Sequence, residues 1–178
     1  MSGQHTSLNL GDLSMGKCGV SSAYGQALAE AAGVCLDDQE HPNPVSLALQ
    51  GDATSSRDVI WPSIDDQMRR TWNDDEVATE YGAMAVALLL AVKVLGYRII
   101  ERMKKGRGFD YVLAPETADA NDRSQRAWLE VSGIRKGGDS TIRTRLRQKL
   151  KQTSKQTTSG RAYIIIVEFG RPIAQISA

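Results

Sequence analysis

The chain has 178 residues and a formal net charge of +1. Its 41% hydrophobic and 24% charged residues are those of a folded globular protein and exclude a mostly disordered chain. The longest apolar run, 83–92, is too short for a membrane span, which needs roughly 20 residues. The first residues lack the basic-then-apolar order of a secretory signal, and Cys18 and Cys35 are too few for a disulfide framework. The default expectation is therefore a cytoplasmic, reducing location with no membrane.

The small net charge hides an asymmetry. Residues 1–90 carry 4 Lys/Arg against 13 Asp/Glu, a balance of −9, and residues 91–178 carry 18 against 8, a balance of +10. A basic half attracts phosphate. An acidic half can dock on that basic surface, meet a protein partner, form a homodimer, or stay solvated. The plain alternative is that the two charge sets neutralise each other within one fold.

In chain order, residues 1–20 are rich in Ser and Gly and read as a flexible arm, with a short strand near 8–10. Leu28, Ala31, Ala32 and Cys35 have helical spacing, which predicts a helix over 22–36. Residues 45–49 and 57–61 read as paired strands around a turn at Gly51, Asp52 and Ala53. Pro62 is placed to open a short helix through Met68. Asn73 reads as an N-cap with Glu76 three residues on, so a long helix is expected to stop at Gly96. Its apolar stripe is Val77, Tyr81, Met84, Leu88, Val92 and Leu95.

Strands are expected over 97–103, 109–114 and 125–134, with a basic, glycine-containing turn at 104–108 and a polar loop at 116–124. A helix over 139–153 turns Ile142, Leu146 and Leu150 inward, and a Ser/Thr/Gly loop fills 154–160. Residues 161–169 contain the apolar run of a central buried strand. Residues 172–177 form a short last strand, placed at an edge because of Pro172. The expected order from residue 73 is thus α-β-β-β-α-β-β, an α/β arrangement whose crossover helix lets the penultimate strand join the sheet in parallel.

Three carboxylates stand out. Glu80 flanks the apolar stripe of the long helix. Asp110 lies within Gly108, Phe109, Asp110 and Tyr111, and Glu130 within Leu129, Glu130, Val131, Ser132 and Gly133. Strand alternation puts Arg126, Trp128, Glu130 and Ser132 on one face. If the strands of Asp110 and Glu130 are neighbours, their carboxylates converge. Such a pair repels itself unless a cation or proton compensates. Oxygen ligands of this kind suit Mg2+ or Mn2+. Plainer roles exist for all three: Asp110 as a turn cap, Glu130 paired with Arg126 or Arg135, and Glu80 as a helix-surface charge.

On these residues and this element order, the chain resembles the PD-(D/E)XK nuclease superfamily, as a divergent member. The resemblance covers residues 73–178 and leaves 1–72 as an N-terminal α+β extension. It implies a restriction-endonuclease-like core, a mixed central sheet flanked by helices, and metal-dependent hydrolysis of phosphodiesters. It makes Asp110, Glu130 and Glu80 the metal ligands. The family pattern has a lysine two residues after the Glu, where this chain has Ser132. A serine can hydrogen-bond a water but brings no charge. Lys136, Lys149, Arg126, Lys104 and Lys105 are the candidate replacements, and Gln148 and Lys149 match the polar residues of the family's following helix.

The helix of 139–153 groups Arg143, Arg147 and Lys151 on one face and Arg145 and Lys149 on another. With Lys104, Lys105 and Arg107 it offers phosphate-binding charge, or a solvated surface. DNA ranks ahead of RNA, and bacterial or phage defence and DNA processing are the settings the resemblance brings. Trp128 could touch a base or belong to the core. Cys18, Cys35, His5 and His41 lack paired metal-ligand spacing. Cys35 with His41, and Ser14 with Lys17, are too sparse to define a hydrolase. The alternatives to a nuclease are a non-cutting nucleic-acid-binding or assembly subunit of the same fold, and an inhibitor whose acidic half imitates nucleic acid.

Overall fold

A computed structural model describes residues 7–119, 122–156 and 160–178. His5, the start of the expected arm, and parts of the loops at 116–124 and 154–160 lie outside the described residues. The chain is a mixed α/β structure built on one eight-stranded sheet. Its strands are β1 (Leu8–Asn9), β2 (Val45–Gly51), β3 (Ser55–Ile60), β4 (Tyr97–Arg102), β5 (Tyr111–Pro115), β6 (Ala127–Ile134), β7 (Ala162–Glu168) and β8 (Ile173–Ser177). The helices are α1 (Ser22–Asp37), α2 (Asp66–Thr71), α3 (Asp75–Lys93) and α4 (Asp139–Thr153). The strand order is β1-β3-β2-β8-β7-β6-β5-β4.

Strands β4, β5 and β6 form an antiparallel meander, and β7 returns parallel to β6 after α4. Strand β8 is antiparallel to β7, and β2 lies parallel to β8. The last strand is therefore interior, where an edge was expected from Pro172. Pro172 stands just before the ladder and its carbonyl accepts from Ala48 N–H, so the missing donor costs nothing. Residues from 1–72 and from 73–178 share this one sheet.

Residues 8–15 are held, not loose. Leu8 pairs with Val59, and Leu10 to Met15 make a 3-10 turn. Leu8, Leu10 and Leu13 are fully buried, worth about 2 kcal/mol each, which offsets much of the cost of ordering so short a segment. Asp74, not Asn73, caps α3, because its carboxylate accepts from the N–H groups of both Glu76 and Val77. Likewise α2 begins at Asp65, which caps it, and not at Pro62. Of the expected stripe of α3, Met84 and Leu88 are buried, Tyr81, Val92 and Leu95 are half-buried and Val77 is 42% exposed, and Ala78, Gly82, Ala83, Leu89 and Leu90 complete the inward face.

The sheet has two unequal covers. Helices α1 and α3 enclose the large core with Tyr111, Leu113, Leu129, Val131, Ile165 and Val167. On the opposite face α4 covers a smaller core of Ile134, Ile142, Ile164, Ile166 and Ile173, with Leu146 beside it. Leu150, expected inward, is 44% exposed. Helix α4 therefore contacts the sheet mainly through its first half. Its second half has room for polar side chains against β6.

Candidate active site

Strand β6 runs past the start of β5. Tyr111 is opposite Leu129, so among the described residues β6 from Glu130 onward has no main-chain partner on that side. Asp110 fills the first vacancy with its side chain. Its N–H donates to Leu129 O at 2.8 Å, and its Oδ2 accepts from Val131 N–H at 2.8 Å. The carboxylate thus continues the ladder by one bond and is fixed beside Glu130. The preceding turn is made possible by Gly106 and Gly108, at φ +85° and +81°, where side chains are strained.

Glu130 is 3% exposed and lies on the α4 face of the sheet. Lys149 Nζ donates to its Oε1 at 2.5 Å, and Gln152 Nε2 donates to the same oxygen at 3.2 Å. Residues 145, 149 and 152 follow helical spacing along one face of α4, and that face looks onto β6. Burial raises the acid range of both Asp110 and Glu130. The charge of Asp110 pushes Glu130 further up, while Lys149 and Gln152 pull it back. Val131 N–H and then Lys149 pull Asp110 back.

Two open lobes meet at this pair. The first, about 560 Å³, is walled by Glu76, Thr79 and Glu80 of α3, by Ser132 and Gly133 of β6, and by Arg145 and Lys149 of α4. The second, about 650 Å³, is bounded by Arg102, Lys105, Gly108, Glu130, Gln152 and Gln156. Glu80, Asp110 and Lys149 border both, so the lobes form one groove with these residues at its waist.

The expected residues divide clearly. Asp110, Glu130 and Lys149 come together, and Glu80 faces them from α3. Lys136 lines the first lobe but its stem packs against Gly170, away from Glu130. Lys105 reaches the second lobe, whereas Lys104 and Arg107 are exposed on the same turn. Arg143, Arg147 and Lys151 lie on the exposed side of α4, and Gln148 borders a shallow pocket beside Thr144. The glutamine that reaches Glu130 is Gln152, not Gln148, because the helix face turned to β6 is that of Arg145 and Lys149. Neither Arg126 nor Arg135 pairs with Glu130. Arg126 faces Glu101 at 4.0 Å, and Arg135 bonds Asp38 and the Cys35 sulfur, both at 2.7 Å. Trp128 stacks on Phe109 at 6.0 Å between ring centroids, as part of the packing.

Arg145 entered the sequence reasoning only as part of the basic surface of α4, and Gln152 and Arg102 did not enter it. The signal for the first two was present in the 145-149-152 spacing, but periodicity alone could not say which polar face of α4 turns inward.

The donor chemistry of the pair fits a divalent cation such as Mg2+ or Mn2+. Two adjacent carboxylates, Glu130 buried and Asp110 half-buried, both held above their usual acid range, gain from a positive charge between them. Among the described residues no three His, Cys, Asp or Glu side chains gather into one metal-holding group. Glu80 therefore faces the pair without joining it. No protein-family model, no curated protein and no solved structure matches this chain.

Proposed function

We propose that this protein is a metal-dependent nuclease of the PD-(D/E)XK type, acting on DNA ahead of RNA. The observation that carries the reading is the meeting of Asp110, Glu130 and Lys149, from three different elements, at the waist of one groove. A helix, a three-stranded meander, a crossover helix and a parallel fourth strand support a restriction-endonuclease-like core over 73–178. Residues 1–72 then extend that core.

Asp110 and Glu130 would hold the Mg2+ or Mn2+, with Glu80 on the facing wall. Bound there, the ion would polarise the phosphodiester and make its water a better nucleophile. Lys149 brings from α4 the charge that Ser132 lacks on β6. Its ammonium orients the attacking water and offsets charge that grows on the phosphate. Gln152 holds the Glu130 carboxylate in place. Lys105 and Arg102 attract the backbone in the second lobe, and Lys104, Arg107, Arg143, Arg147 and Lys151 add long-range attraction from the exposed surface. Bacterial defence or DNA processing is the setting by analogy with the family.

A non-cutting nucleic-acid-binding or assembly subunit is the second reading, and Ser132 at the position of the motif lysine favours it. Incubating labelled single- and double-stranded DNA and RNA with Mg2+ or Mn2+ separates the two. Cleavage that vanishes in Asp110→Ala and Glu130→Ala supports the nuclease. Binding without cleavage by the wild type supports the subunit. Cleavage that survives both substitutions rejects the site.

A further inference from the structure

We propose that Arg145 grips a phosphate in the first lobe, beside the waist of the groove, and that Ser132 is the post that aims it. This rests on the nuclease reading and names a phosphate-binding residue within it.

Arg145 Nη1 donates to Ser132 Oγ at 2.8 Å and to Gly133 O at 3.4 Å. The guanidinium is thereby laid across β6 where the family pattern would place a lysine. Both acceptors are neutral, so the charge of Arg145 is anchored without being cancelled. Its neighbours in the first lobe differ. Arg135 is paired with Asp38, Asp75 and the Cys35 sulfur, and Lys149 stands on Glu130, where the nuclease reading gives it the attacking water. Among the described residues no carboxylate lies within ion-pair distance of Arg145. Lys136, the remaining cation of that lobe, is exposed, with its stem against Gly170.

The geometry of the side chain points the same way. A guanidinium has five N–H donors in a rigid fork. With Nη1 occupied, the Nε and Nη2 donors remain, and these suit two oxygens of one phosphate. Arg145 lies one helical turn before Lys149, about 6 Å along α4. Lys149 faces the carboxylate pair, so Arg145 stands beside it at the edge of the first lobe. Ser132 is buried at 7% exposure, and the arginine gives its hydroxyl a partner there. The serine at the motif position is then one half of a Ser-Arg pair that replaces a lysine. A lysine restored at 132 would push its ammonium against the guanidinium.

The test uses the full chain with Arg145→Ala, Arg145→Lys, Arg145→Gln, Ser132→Ala, Ser132→Lys and the Ser132→Ala/Arg145→Ala double variant, each checked for its melting temperature. Binding of a fluorescein-labelled DNA duplex without divalent metal is measured against KCl concentration, and cleavage is measured in Mg2+. Arg145→Ala and Arg145→Gln should each reduce the slope of log K against log salt by about 0.9, one phosphate contact. Arg145→Ala should also lower kcat/KM about 100-fold. Arg145→Lys should recover the salt slope but not the rate. Ser132→Ala should lower kcat/KM by a smaller factor and cost nothing further in the double variant, because it acts through Arg145. Ser132→Lys should lower the rate.

An unchanged salt slope in folded Arg145→Ala and Arg145→Gln overturns the inference. So does a Ser132→Ala loss that persists in the double variant, or a gain in Ser132→Lys. A wild type that binds with an Arg145-dependent slope and does not cut fails the nuclease reading while supporting the phosphate grip. Asp110-dependent cleavage that is untouched in Arg145→Ala fails the grip alone. Absence of binding overturns both.

Discussion

The ammonium of Lys149 stands 2.5 Å from Oε1 of Glu130, across the interface between α4 and β6. The carboxylate is almost wholly buried and the lysine largely so, with side-chain exposures of 4% and 22%. Removing the lysine strands a charge that the site cannot hydrate. Lys149→Met should therefore destabilise the fold by about 2 kcal/mol, a fall in Tm of about 6 °C for a chain of this size. Adding Glu130→Gln to that variant should recover most of the loss. Cleavage in Lys149→Met should drop at least about 100-fold. Thermal melts of the single and double variants check the first part, and a double variant no more stable than the single would contradict it.

Burial holds the acid ranges of Asp110 and Glu130 above their ordinary values. The folded chain then binds their protons more tightly than the unfolded chain does. Their stabilising contribution is complete below the ordinary carboxylate range, near pH 4, and is lost as pH rises through the raised values. Asp110→Asn keeps an oxygen for Val131 N–H and removes the repulsion with Glu130. It should melt about 2–4 °C above the wild type at neutral pH, corresponding to about 1 kcal/mol, with the gap closing towards pH 4. Melting curves across that range measure it. A gap that stays constant would show that the charge of Asp110 is not what separates the two proteins.

The same repulsion predicts a metal effect that needs no turnover. Mg2+ or Mn2+ held by the folded pair should raise the wild-type Tm as its concentration rises. Asp110→Asn and Glu130→Gln should respond much less. Differential scanning fluorimetry with and without metal reads this directly, and equal responses in all three proteins would place the ion elsewhere.

Gly133 sets the distance between β6 and α3. A Cβ there would lie 2.5 Å from Thr79 O and 3.0 Å from Ala83 Cβ, so the helix must shift to admit it. The shift would carry Glu80 away from Asp110. Gly133→Ala should cost about 1–3 kcal/mol in urea unfolding and lower activity as well. A neutral substitution would mean that α3 is not seated on β6 at this point.

The chain's local patterns made some of this legible. Asp139 to Thr153 reads as a helix from its own periodicity, and the apolar run of Tyr163 to Val167 reads as a buried strand. Neighbouring strands were enough to bring Asp110 and Glu130 together. What local pattern could not supply was long-range pairing. Strand β8 looked like an edge because Pro172 opens it, yet β2, more than 120 residues earlier, adds on its far side. The polar faces of α4 posed the same difficulty. Arg143, Arg147 and Lys151 form as regular a row as Arg145, Lys149 and Gln152, and Leu150, which suggested the inward direction, is itself exposed. Only packing on Ile134, Ile164 and Ile166, through Ile142, turns the second row to the groove. Leu8, Leu10 and Leu13 were hidden in a Ser/Gly-rich setting that reads as an arm.

The most direct measurement is single-turnover cleavage of an end-labelled DNA duplex and its single strand in Mn2+, with wild type, Asp110→Asn and Lys149→Met purified identically. The account predicts cutting by the wild type and a loss of at least about 100-fold in both variants. Undiminished cutting by folded Asp110→Asn would contradict it, as would a wild type that binds both DNA forms and cuts neither.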